Sequence, residues 1–188
     1  MLDVLKELIL KTSKRWCAEI DASKTGSTQI ELTEDIRHIF EKFLLQVIFG
    51  DNMDDYRVRV EFRKKGGGTE MKEVTMSEAI QEVFEQTMLT VGTRLPNPIW
   101  QILYASTGKS YAFTANEKLS NKNCAVLRQI MVDYVRKRKS GEIKSQVGDN
   151  SDMLSLFLQS PDIFTEEVII DELVDFLVAG SQTTQFTT

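Results

Sequence analysis

Apolar residues return every three or four positions through most of the chain, the period of helices that each cover one face. Leu2, Leu5, Ile9, Trp16 and Ile20 set that rhythm among charged residues, which predicts a surface helix over 2–20 with one buried stripe. Ser23 to Thr28, with Gly26, reads as a loop. Thr33 is the expected N-cap of a second helix, since Glu34 and Asp35 then occupy a first turn whose dipole favours anions. That helix carries Ile36, Phe40, Phe43, Leu44 and Val47 and ends at Gly50, Asp51 and Asn52. From Arg57 to Lys65 the period changes to two, with Val58, Val60 and Phe62 alternating with charged residues before the turn Gly66 to Gly68. The pattern fits a short β-hairpin with Met71 to Val74 or, equally, a mobile loop. Thr75 and Glu78 match a capping box for a third helix that ends at Gly92. Pro96 and Pro98 mark a connector, and residues 99–115 carry no decisive period. Helix resumes at Asn116, with Leu119, Val126, Leu127, Ile130 and Tyr134 on one side, and closes in Arg136 to Lys139 before Gly141. A polar linker, 142–150, precedes a short helix from Asp152 to Gln159, stopped by Pro161. The last helix follows Thr165 and turns Ile169, Leu173, Phe176, Leu177 and Gly180 inward. Nothing terminates it before Thr188, as expected of a chain cut inside a helix.

Composition narrows the class. Of 188 residues 41% are hydrophobic, too many for a disordered segment and enough for one packed domain. No run of 18 apolar residues occurs, and the amino end lacks the basic-then-apolar order of a signal peptide, so no transmembrane segment is expected. The net charge of −5 argues against nucleic acid as a partner. Three prolines and ten glycines leave few breakers, so the fold class is mainly α. Two cysteines, Cys17 and Cys124, are too few for a disulfide framework or a metal knuckle.

Candidate chemistry concentrates in the last helix. Gly180 costs about 1 kcal/mol relative to Ala inside a helix, and Thr183 and Thr184 can return their hydroxyls to carbonyls one turn earlier. Such a segment suits either close helix–helix contact at Ala179 and Gly180 or a groove where a small ligand lies against the backbone. The sole histidine, His38, has no partners for a metal site, and Gly66 to Gly68 lacks the Gly-Lys-Ser/Thr continuation of a phosphate loop. The basic runs Arg57 to Lys65 and Arg136 to Lys139 read as solvated ends or as contacts for anionic lipid or a redox partner.

Ala179-Gly180-Ser181-Gln182-Thr183-Thr184 resembles the oxygen-binding motif of the long central helix, the I helix, of cytochrome P-450 monooxygenases: Ala/Gly, Gly, any residue, Asp/Glu, Thr, Thr/Ser. Its approach through Phe164-Thr165-Glu166-Glu167 and Glu172 to Leu177 is similar to the start of that helix. Asp152 to Leu158 resembles the short helix before it, and Ile39 to Phe49 followed by Gly50 resembles an earlier helix ending in Phe-Gly. The resemblance is weakest over residues 51–115. Two departures stand out. Gln182 replaces the acid, and the family's Phe-x-x-Gly-x-Arg-x-Cys-x-Gly haem loop and Glu-x-x-Arg helix do not occur. The resemblance therefore implies a single, incomplete domain, 1–188, expected to be the middle of such an enzyme without its amino-terminal anchor, first sheet and Cys haem loop.

The resemblance implies a haem-dependent monooxygenase that inserts one oxygen atom of dioxygen into an apolar organic substrate, using electrons from a reductase. It makes the chain alone inactive and unable to hold haem stably, with no metal site because the axial Cys is absent. Thr183 takes the role of the hydroxyl that steadies dioxygen and helps deliver protons, and Gln182 the proton-relay position. Ala179 and Gly180 would face the haem, while Asp175, Phe176 and Val178 would border the substrate pocket. Phe84, Met88 and Phe113, in segments matching the pocket's roof and access, become substrate contacts. A eukaryotic parent would sit on the endoplasmic reticulum through an anchor outside this chain. The alternative is a truncated, non-catalytic helical interaction module.

Overall fold

A computed structural model describes residues 2–51, 53, 56–109, 111–147 and 152–183. In chain order the elements are α1 (Leu2–Ala22), α2 (Leu32–Phe49), β1 (Arg57–Arg63), β2 (Thr69–Thr75), α3 (Met76–Arg94), α4 (Pro98–Thr107), α5 (Ala115–Lys139), α6 (Met153–Leu158) and α7 (Glu166–Thr183). The fold is mainly α with one two-stranded antiparallel sheet, as expected. Of the two readings of residues 57–75, the hairpin is the one formed, pairing Arg57 with Thr75 through Arg63 with Thr69.

The core lies where α7 crosses α2, α3 and α5. It joins Leu45, Ile48 and Phe49 of α2, Ile80 and Val83 of α3, Leu127, Met131 and Tyr134 of α5, and Leu173 and Leu177 of α7. Phe49 meets Tyr134 edge-on, ring centres 5.1 Å apart. Burial pushes the Tyr134 phenol well above its ordinary pKa, and its hydroxyl faces Asp51 at 3.5 Å. Val58 and Val60 of β1 face the same core, and the outer edge of β1 is closed by two buried amides. Asn123 accepts from the Glu61 N–H (3.1 Å) and donates to the Glu61 carbonyl (2.8 Å), to which Gln86 also donates (3.1 Å). A strand edge buried among helices is thus left with no orphaned peptide group at Glu61.

Several expectations need correction. The stripe expected on α1 is covered only in part: no α1 residue is fully buried, Leu5 and Trp16 are half-buried, and Leu2, Ile9 and Ile20 are exposed. This helix is held to α2 by polar contacts, with Asp35 accepting from the Trp16 indole at 2.6 Å and paired with Arg15. The hydrogen bond from Arg15 holds the Asp35 carboxyl below its ordinary pKa. The second helix starts at Leu32 with Glu31 as an N-cap whose side chain makes no capping bond, so Thr33 lies inside the first turn. Its buried stripe is Glu41, Leu45, Ile48 and Phe49, one position round from the expected residues. The third helix runs past Gly92 to Arg94. Residues 98–107 form α4, capped by the Asn97 side chain on the Ile99 N–H with Pro98 in the first turn. The fifth helix opens at Ala115 through a second capping box, Thr114 with Glu117, and Asp152 is the N-cap of α6 instead of its first residue. Phe176, expected inside, is 40% exposed.

The basic run that ends α5 is spent within the fold. Arg136 and Lys139 reach Glu166 at 2.9 and 3.8 Å, Lys137 reaches Glu142 at 3.8 Å, and Arg138 reaches Asp152 at 2.8 Å. The last pair is buried on both sides and shares Ser155, which donates to Asp152 and accepts from Arg138. Gly50 fits beside it. Its φ of 65° ends α2 in the left-handed conformation, and a Cβ there would stand 2.6 Å from Asp152 Oδ2. That contact explains why glycine follows Phe49.

Candidate functional site

The candidate site is the carboxyl half of α7. The helix begins where Thr165 accepts from the Val168 N–H at 3.3 Å, with Glu166 and Glu167 in the first turn. Ile169, Ile170, Leu173 and Leu177 form its buried stripe. Ion pairs Arg136–Glu166 and Arg128–Asp171 fasten it along α5. A stripe about 100° round from it is uncovered: Glu172, Phe176 and Ala179, spaced four and three apart, are all exposed.

Ala179 and Gly180, paired in the sequence expectation, face different surroundings. Ala179 lies on the exposed stripe, whereas a Cβ on Gly180 would stand 3.1 Å from both δ-methyls of Leu44. Glycine at 180 therefore permits close approach of α7 to α2, and small size at 179 leaves room on the open face. Asp175 is exposed one residue before Phe176. Val178, Gln182 and Thr183 belong to α7, but their side chains lie outside the described residues, as does Thr184 altogether.

The three outlying candidates divide between two places. Phe84 is half-buried and Met88 is exposed on α3, which packs beside α7. Phe113 is 59% exposed and packs with Trp100 and Tyr111, ring centres 4.9 and 5.9 Å away, in the connection around α4. Sequence reasoning passed over Glu117 nearby. Buried itself, it accepts from the N–H groups of Phe113 and Thr114 and pairs with Arg94 at 2.8 Å. Burial opposes its ionisation, but the Thr114, Arg94 and Phe113 hydrogen bonds win and hold its pKa at about 2. Its signal was the Thr114-x-x-Glu117 spacing, the same as Thr75-x-x-Glu78.

The open stripe of α7 offers a small residue, Ala179, and an apolar ring, Phe176. No described residues cluster as a metal site. Cys17 is exposed on α1, and the Cys124 thiol on α5 lies 3.7 Å from the Thr87 hydroxyl. No helix among the described residues is long and apolar enough to cross a membrane. No curated protein matches the chain. The family model for cytochrome P450 matches residues 2–188, from α1 through the last helix. With the mainly helical architecture, that match places the chain in the cytochrome P450 family, the haem monooxygenases.

Proposed function

We propose that this chain supplies the oxygen-side wall of a haem monooxygenase acting on an apolar organic substrate, and that the axial thiolate comes from outside these 188 residues. The observation that carries the reading is the open stripe of α7, Glu172, Phe176 and Ala179, flanking a fully packed one about 100° round the helix. Helical spacing continues this stripe from 179 to 183, so Thr183 shares its register, while Gln182 lies about 100° further round. Haem, where bound, supplies activation of dioxygen by its iron.

The roles follow from chemistry. Ala179 leaves space for dioxygen, Gly180 sets the depth of α7 against α2, and the Thr183 hydroxyl donates a hydrogen bond to dioxygen and hands on protons. Gln182 holds a water in the relay, since an amide accepts and donates but does not ionise. Phe176, Asp175 and Val178 border the substrate, with Phe84 and Met88 on the neighbouring α3 as further contacts. Phe113, placed beside Trp100, joins the access region. Electrons come from a reductase.

The test is product formed per reductant consumed in the protein extended to carry an axial cysteine. Positioned proton donors contribute about 10²–10⁴-fold to rate. Thr183→Ala is expected to keep haem bound while reductant drains to peroxide or water; unchanged coupling would refute the role. Thr184→Ala should matter less, and Gln182→Asp should preserve or raise coupling. The 188-residue chain alone, given haem and carbon monoxide, is expected to show no thiolate-type spectrum. Should the chain act instead as a helical interaction module, none of these variants would change its behaviour.

A further inference from the structure

Beside α4 lies a cavity of about 320 Å³, away from the residues assigned to α7. Val91, Leu95 and Leu103 form its aliphatic side, and Trp100, Tyr104 and Tyr111 its aromatic side. Its size falls at the lower end of small-molecule sites. The wall is fixed in a particular way. The Arg94 guanidinium lies 4.7 Å from the centre of the Trp100 ring, donates to the Tyr111 carbonyl at 2.7 Å, and pairs with the buried Glu117. These contacts tie the end of α3, the start of α4 and the segment before α5 around one opening. No residue of α4 is buried, so the helix is held over the cavity mainly by them.

The charges point to the ligand. Two cations, Arg94 and Lys109, line the cavity, and among the described residues no Asp or Glu does. Glu117 neutralises Arg94 from behind, while Lys109 has no acidic partner among the described residues. The opening is therefore apolar, ringed by π faces, and positive at one point. We infer that the α4 cavity binds a small aromatic monocarboxylate, its ring against Trp100 and Tyr111 and its carboxylate at Lys109. The inference does not rest on the role proposed for α7, and loss of one leaves the other standing.

Trp100 is the natural reporter, because only Trp16 shares the chain with it. In the full chain carrying Trp16→Phe, hydrocinnamate is expected to change Trp100 fluorescence saturably. Hydrocinnamamide, equal in shape and uncharged, should bind about tenfold more weakly, the scale of one charge-assisted contact. Lys109→Gln, at an exposed position that leaves the fold undisturbed, should remove that preference and leave amide binding as it was. Decanoate should bind less tightly than hydrocinnamate. No saturable change overturns the site. Equal affinity for acid and amide, or a preference that survives Lys109→Gln, overturns the anion assignment, and tighter decanoate binding overturns the aromatic one.

Discussion

Helices α5 and α1 are of similar length, 25 and 21 residues, yet they are held in opposite ways. The stripe Leu119, Asn123, Leu127, Met131 and Tyr134 of α5 is buried between α3 and α7, and its final turn ends in the buried Arg138–Asp152 pair. No residue of α1 is buried, and α1 is fastened to α2 through Arg15, Trp16 and Asp35. Periodicity makes both helices. What differs is whether another element arrives to cover the stripe, and that decides where stability resides.

The contrast breaks most sharply at the buried pair. Arg138→Met leaves the Asp152 carboxylate buried beside Ser155 without its cation, and should cost about 3–5 kcal/mol in denaturant unfolding. Arg128→Met removes the exposed pair with Asp171 and should cost about 0–1 kcal/mol. Equal costs would show that burial is not what separates them. Two glycines sharpen the point. Gly50→Ala meets both a left-handed backbone and Asp152, and should cost about 2–4 kcal/mol. Gly180→Ala gains about 1 kcal/mol of helix propensity and presses only on the movable δ-methyls of Leu44, so its net effect should stay within about 1 kcal/mol by thermal melting.

Acid titration tests Glu117. Its folded pKa is lowered from 4.5 to about 2, so the unfolded chain takes up a proton first as pH falls. The stabilisation is complete above 4.5 and is lost progressively towards pH 2. Unfolding midpoints across that window should slope upward with pH, and Glu117→Gln should remove its share of the slope. The smallest effects belong to the uncovered helices: Leu10→Ser on α1 and Ile102→Ser on α4 should each move stability by less than about 0.5 kcal/mol.

These outcomes also mark what was legible in the sequence. Local chemistry was legible at several points: Thr75 with Glu78, Gly50 after Phe49, and the alternation of Val58, Val60 and Phe62 all form as expected, whereas the Thr33 cap and the stop at Gly92 do not. Asn97-Pro98 and Thr114 with Glu117 carried signals just as local, but the apolar stretch between them has no clear period because α4 buries no residue. The α1 stripe is met only in part, since its period was right but α2 covers Leu5 and Trp16 and leaves Leu2, Ile9 and Ile20 exposed. Buried faces were displaced by one position on α2 because three-dimensional neighbours, which no single segment encodes, choose among adjacent apolar residues. At the site, the roles of Ala179 and Gly180 separate only once Leu44 is brought beside α7.

The two amides on Glu61 reach beyond the fold. A hairpin's outer edge is ordinarily an invitation for another chain to add a strand and begin aggregation. At Glu61, Asn123 and Gln86 occupy the donor and acceptor that such a strand would need, so recruitment along β1 is interrupted at its middle. The turn at Gly66 to Gly68 stands clear of this lock, and a Cβ on any of the three would meet nothing within 4 Å. It is accordingly the place where an affinity tag or a reporter domain can be spliced in while the helical core keeps its registration.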